Sequence, residues 1–106
     1  MGVIVFASYK PKPDKVAQLK ELIKIHVDVL RTEGLATDRP TIVMKSKSGT
    51  IVEIFEWKSA QSIEAAHANS KVMALWDKFA EVCDFTPISS LDETKDLFAE
   101  FESIDC

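Results

Sequence analysis

Glycine is scarce in this chain, three among 106 residues, and no two of them stand close together. A loop that cradles phosphate needs several neighbouring positions free of Cβ, so nucleotide binding of that kind is excluded. Basic clusters are missing as well. Thirteen Lys and Arg face seventeen Asp and Glu, giving a net charge of −4, and the two signs are interleaved throughout. Nucleic-acid binding draws on grouped cations, so no nucleic-acid partner is expected. No apolar run approaches the roughly 20 residues that span a bilayer, and no membrane partner is expected. The opening stretch Val3–Ala7 lacks a basic flank and a cleavage pattern, and reads as a strand, not a signal peptide. Cys83 and Cys106 form no CxxC or Cys/His metal spacing, which suits two reduced thiols in a cytoplasmic protein better than a disulfide. GxSxG, HExxH and paired Cys-His arrangements are also lacking. No metal or cofactor is therefore expected.

What is present is an ordinary globular composition, 46% hydrophobic and 28% charged, long enough for one domain (1–106) and one core. A first strand covers Val3–Tyr9, and the loop Lys10–Asp14 comes after it with two prolines. Val16, Leu19, Leu22, Ile23, Val27 and Leu30 recur at helical spacing, predicting a helix from about Lys15 to Glu33 that Gly34 closes. Thr41–Lys47 and Thr50–Trp57 read as a hairpin turning at Ser48-Gly49. Ser59 can cap a helix to about Ala68, and Asn69 or Ser70 a second to about Val82. Thr86–Ser89 reads as a fourth strand. Ser90-Leu91-Asp92-Glu93 has capping-box spacing, and Phe98–Ile104 is a last extended segment. The expected class is α+β: a ferredoxin-like β-α-β-β-α-β chain with an antiparallel sheet and a C-terminal extension over about 88–106.

Alternation assigns the strand faces. Val3, Val5 and Ala7 oppose Ile4 and Phe6; Ile51, Phe55 and Trp57 oppose Val52 and Ile54; Val43 opposes Ile42 and Met44. Both faces are apolar, and two helices cover only one. A homodimer through the other face is the expected solution. The rival, a monomer closed by its own C-terminal segment, is less expected because that segment is short and carries Glu100 and Glu102.

Two polar residues interrupt the helix-covered side. His26 falls inside the apolar stripe between Leu19, Ile23 and Leu30, and Glu53 shares a strand face with Phe55 and Trp57. A buried carboxylate needs a partner, which His26 or His67 can supply. One reading makes His26, Glu53 and His67 the polar, catalytic groups of a pocket lined by Trp57, Trp76, Phe55 and Phe79, with Tyr9 at its mouth. The other makes His26 a buried histidine satisfied by backbone or by Glu53, His67 a helix-end residue and Trp76 a core side chain. Arg31 and Arg39 flank the loop after the first helix, either as an anion clamp or as solvated surface.

The element order, the Glu53-Ile54-Phe55-Glu56-Trp57-Lys58-Ser59 strand end and the helix after it resemble the antibiotic-biosynthesis-monooxygenase-like family of dimeric α+β barrel proteins. The resemblance spans about residues 3–104. It implies a dimeric barrel and a cofactor-free, monooxygenase-like reaction on a small apolar or aromatic compound, the alternatives being a non-catalytic binding or sensing protein and a cofactor-free isomerase or lyase. The haem-degrading branch shares Trp57 and the Lys-Ser pair after it. It also needs an Asn on the first strand and a His on the second helix, where this chain has Ser8-Tyr9 and Trp76-Asp77. The resemblance therefore does not carry haem degradation.

Overall fold

The computed structural model describes residues 2–106. Five antiparallel strands make one sheet: β1 (Val3–Pro11), β2 (Ile42–Lys45), β3 (Ile51–Trp57), β4 (Cys83–Thr86) and β5 (Glu102–Ser103), in the order β4-β1-β3-β2-β5. Three α-helices, α1 (Val16–Thr32), α2 (Ala60–His67) and α3 (Ser70–Val82), complete an α+β arrangement compatible with the ferredoxin-like plan. Two 3-10 turns, Ile88–Ser90 and Asp92–Lys95, come after β4.

Register fixes the two sheet faces. Val5 lies opposite Phe55, Ala7 opposite Glu53 and Tyr9 opposite Ile51, so these side chains share one face. Val43 joins them from β2, opposite Glu53. Onto this face α1 lays Leu19, Ile23, His26, Val27 and Leu30, and α3 lays Val72, Leu75, Phe79 and Val82, all buried. Both stripes keep the 3.6-residue period, which is why these segments are helical and why they lie against the sheet. Ser59 accepts from the Ser62 N–H and starts α2; Asn69 accepts from Lys71 and Val72 N–H and starts α3. Each such cap is worth about 1 kcal/mol. The short pieces α2 and α3 are thus separate helices with a capped joint.

Three local expectations need correction. β1 continues two residues past Tyr9, with Pro11 opposite Cys83 on the edge strand β4, because the ladder's end needs no N–H from proline. The turn comes at Lys12–Lys15, where Asp14 takes φ 63°, a conformation Asp tolerates. The fourth strand begins at Cys83, three residues before the expected Thr86. Cys83 itself turns extended (φ −152°, ψ 167°) directly after the last residue of α3, so no loop separates helix from strand. The capping box does not form: Ser90 Oγ donates to the Pro87 carbonyl, and Glu93 accepts from the Lys47 N–H instead.

The helix-free face is covered in part. Val52 is fully buried there, and Phe6 and Met44 share a shallow cavity with Ile88, Thr94 and Phe101 of the C-terminal segment. That segment, discounted from sequence as a cover, therefore lies across one end of the face. β5 adds only Glu102 and Ser103 to the edge of β2, much less than the extended run over 98–104. The rest stays open: Ile4 and Ile42 are 53% and 56% exposed, and Phe6, at the rim of that shallow cavity, is 55% exposed.

Leu30 is fully buried in the cluster that includes Phe55, Trp57 and Val72. Leu30→Ala should lower the unfolding free energy by about 2–5 kcal/mol. Urea unfolding followed by tryptophan fluorescence would read this directly, and a loss under about 1 kcal/mol would contradict the packing described.

Candidate functional site

Between α3 and the sheet lies a cavity of about 510 Å³. Its floor is β1 and β3, through Val5, Ala7, Tyr9, Phe55 and Trp57. Short side chains create the space: Ala7 on the floor faces a wall that includes Ala80 of α3. Met73, Trp76, Asp77 and Ala80 sit at i, i+3, i+4 and i+7 along α3 and form that wall, while Phe85 closes the β4 edge. His26 reaches the cavity from α1. The lining is almost wholly apolar and aromatic, the usual character of a site for a small organic molecule.

The polar groups form one connected chain. Glu53 is completely buried at the centre of β3. Its Oε1 accepts from the Tyr9 hydroxyl at 2.8 Å and from His26 Nδ1–H at 2.7 Å. On the other side of the imidazole, Trp76 Nε1–H donates to His26 Nε2 at 3.0 Å. Donation from Trp76 requires a lone pair on Nε2, so this pattern assigns the proton to Nδ1. The ring is held edge-on between Phe55 and Phe79, with centroids 5.4 and 5.0 Å away. Position, tilt and tautomer of His26 are therefore all fixed by neighbours.

Glu53 is not exposed to the apolar cavity itself; it stands behind His26 and Tyr9. Its second oxygen, Oε2, is buried without a hydrogen-bond partner among the described residues, and the residue borders a separate polar cavity of about 240 Å³ beside Lys24, Arg31 and Cys106. Tyr9 is pushed well above the usual tyrosine pKa of 10.0, first by burial, then by the Glu53 charge and their hydrogen bond. Burial likewise pushes the Cys83 thiol up to about 11, and Cys83 Sγ–H donates to the Phe79 carbonyl at 3.1 Å. This makes Cys83 a packing residue without nucleophilic character. Both cysteines are free.

Of the residues singled out from sequence, the structure brings together His26, Glu53, Tyr9, Phe55, Trp57 and Trp76. Tyr9 is not at a mouth but buried, with its hydroxyl on Glu53. Phe79 belongs to the core: it is fully buried behind the wall and stacks on Tyr9 at 5.0 Å. His67 is not part of the polar chain. It is exposed, its Nδ1–H donates to the Ile63 carbonyl at 2.8 Å, and its ring rests against the edge of Trp76. Arg31 is bound to the Thr37 and Arg39 carbonyls and so ties down the connection after α1. Met73, Asp77, Ala80 and Phe85 were missed, as was the part of Val5 and Ala7 in the cavity floor. The helical repeat through Trp76 contained the signal for the first three. Phe85 was lost because the fourth strand starts earlier than expected, which puts it opposite Tyr9.

Among the described residues, no group of three or more His, Cys, Asp or Glu is arranged to hold a metal, and no helix is long and apolar enough to cross a membrane.

Tyr9 is the only tyrosine, so phenolate absorbance reports it alone. With the folded pKa raised, its stabilising contribution is complete below the unfolded value near 10.0 and is lost as pH rises through the folded value. The folded protein should show almost no phenolate at pH 10, where the urea-unfolded chain is half ionised, and stability should fall above that pH. Half-titration near pH 10 in the folded state would contradict the Tyr9–Glu53 bond.

No family model, curated protein or solved structure matches the chain, so the chemistry of this site is argued from its own geometry.

Proposed function

We propose that the chain binds a small apolar or aromatic molecule in the 510 Å³ cavity and uses His26 as a general base toward it. One observation carries this reading: a buried carboxylate holds Nδ1–H of a histidine that lines an apolar cavity and whose Nε2 is turned toward Trp76 of the cavity wall. A carboxylate so placed selects the tautomer and stabilises the imidazolium that forms when Nε2 takes a proton. Trp76 N–H occupies that lone pair in the structure. A substrate hydroxyl or acidic C–H that displaces it would be delivered to the base against an apolar lining.

The resemblance to cofactor-free monooxygenases suggests the next step. The anion left by proton removal is electron-rich and reacts with O2. For a phenol the balance is one O2 consumed, the quinone formed and one water released, with no reductant from the protein. The chain supplies orientation, an apolar medium and the base. A second reading, a binding or sensing protein, draws on the Trp76 N–H, which a ligand would have to compete with for Nε2. A cofactor-free isomerase or lyase would use the same base without O2.

We further propose that two copies associate through the open part of the helix-free face. Ile4, Phe6 and Ile42 are more than half exposed there, and Leu97 and Phe98 of the C-terminal segment are 92% and 79% exposed. A set of large apolar side chains in water of this extent is unusual for a monomer, and a two-fold copy is the simplest cover.

Oxygen uptake with a panel of phenols and quinols checks the chemistry. His26→Ala should lower kcat by about 10²–10⁴-fold while binding persists. Glu53→Gln should lower it less, because the ring stays in place. Turnover under strict anaerobiosis would move the assignment to an isomerase or lyase, and binding without turnover by the unaltered protein would move it to a sensor. Sedimentation velocity checks the assembly. The unaltered chain should sediment as a dimer and the Phe6→Lys variant as a folded monomer; a monomeric unaltered chain would overturn the interface.

A further inference from the structure

The wall of the cavity is electrostatically one-sided. Among the described residues, Asp77 is the one carboxylate on it, exposed on α3 beside Trp76, and no lysine or arginine lines it. Asp77 makes no hydrogen bond or ion pair from its side chain among the described residues, so its carboxylate is not committed to another side chain. Lys12, which donates to the Ala80 carbonyl at 3.0 Å, is committed there and stays outside the wall. Behind His26, and outside this cavity, stands a second acid, Glu53, whose Oε1 accepts from His26 Nδ1–H. The aromatic rings add to the same sign. Trp57 and Trp76 meet at 87° with centroids 6.4 Å apart, and aromatic faces attract cations.

We infer that the ligand is aromatic with a protonated amine, or a comparable cationic group, that reaches Asp77, and that carboxylate and phosphate ligands are rejected. This rests on the reading of the cavity as a small-molecule site and adds the charge of its ligand. An anion entering the cavity would leave water without gaining a cation, and would meet Asp77 and the Glu53-backed His26. An ammonium gains the Asp77 carboxylate and an indole face. The polar end of the ligand then lies toward α3, and its apolar body lies over Ala7 and Phe55.

Three probes of the same shape separate this inference from the reading beneath it: 2-naphthol, 2-naphthylmethylamine and 2-naphthoate at pH 7. The chain has two tryptophans, both lining the cavity, so their indole N–H resonances give the binding isotherms. The amine should bind at least tenfold tighter than the carboxylate, with 2-naphthol between them. Asp77→Asn should reduce the amine-to-carboxylate ratio by about tenfold, and Asp77→Lys should invert it, each measured against 2-naphthol in the same variant. Because Asp77 is exposed, neither change threatens folding. If 2-naphthol binds while the carboxylate binds as well as the amine, or if Asp77→Lys leaves the order intact, the inferred charge preference is wrong and the cavity reading stands. If none of the three binds, both fall together.

Discussion

A carboxylate with no exposure at the middle of a central strand constrains everything around it. Removing Glu53 from water costs several kcal/mol, and that cost is offset only where good donors meet it inside the fold. Two do, both on Oε1: the Tyr9 hydroxyl from the neighbouring strand and His26 from the helix above. Hydrogen bonds to a charged group contribute about 1.5–3 kcal/mol each, so losing either donor would leave much of the burial uncompensated. The pairing of β1 with β3, the rotation of α1 about its axis and the tilt of the imidazole thus depend on a single acid.

The cavity is a consequence of the same constraint. Ala7 sits opposite Glu53 in the β1–β3 register, and its short side chain leaves unfilled volume above the strand that a larger residue would have taken. Phe55 and Phe79 hold His26 at one side of that volume, and Trp76 meets it from α3. An apolar space with one oriented nitrogen at its edge arises from packing around a buried acid. The features that make the site chemically interesting and those that make the core satisfied are therefore the same bonds. The Trp76 N–H shows this best, since it stabilises the fold by occupying the lone pair that a reaction would need.

How far the sequence allowed this to be read depends on period and contrast. His26 and Glu53 were visible because each breaks an apolar pattern whose period is known, a helical stripe in one case and an alternating strand in the other. The paired faces of β1, β2 and β3 were visible for the same reason. Phe79 and Trp76 share a helix, and periodicity could place both inward without telling wall from core, since that depends on the small size of Ala7 and Ala80. His67 looked like a partner for Glu53 only because histidine is chemically versatile; its ring nitrogen is bound to a carbonyl one turn earlier in its own helix. The C-terminal segment was the least legible. It is built from two short 3-10 turns and a two-residue strand, which carry no repeat, and its capping-box residues are engaged with Pro87 and Lys47 instead.

Strand β3 carries a second glutamate, and the contrast between the two shows what pins the register. Glu53 and Glu56 are three residues apart, so they face opposite sides of the sheet. Glu56 accepts from Thr37 Oγ1 at 2.8 Å and pairs with Arg39 at 3.2 Å, partners from the connection between α1 and β2; the Thr37 hydrogen bond and Arg39 hold its carboxyl below the usual range. A slip of one residue would turn Glu53 to the helix-free face, strand the donors of Tyr9 and His26 in the core, and separate Glu56 from the connection that binds it. Apolar residues alone would tolerate such a slip, because both faces of this strand are apolar. The two acids do not. The register that builds the cavity on one face also decides which apolar side chains remain on the other, so the candidate site and the proposed interface are two results of one constraint on β3.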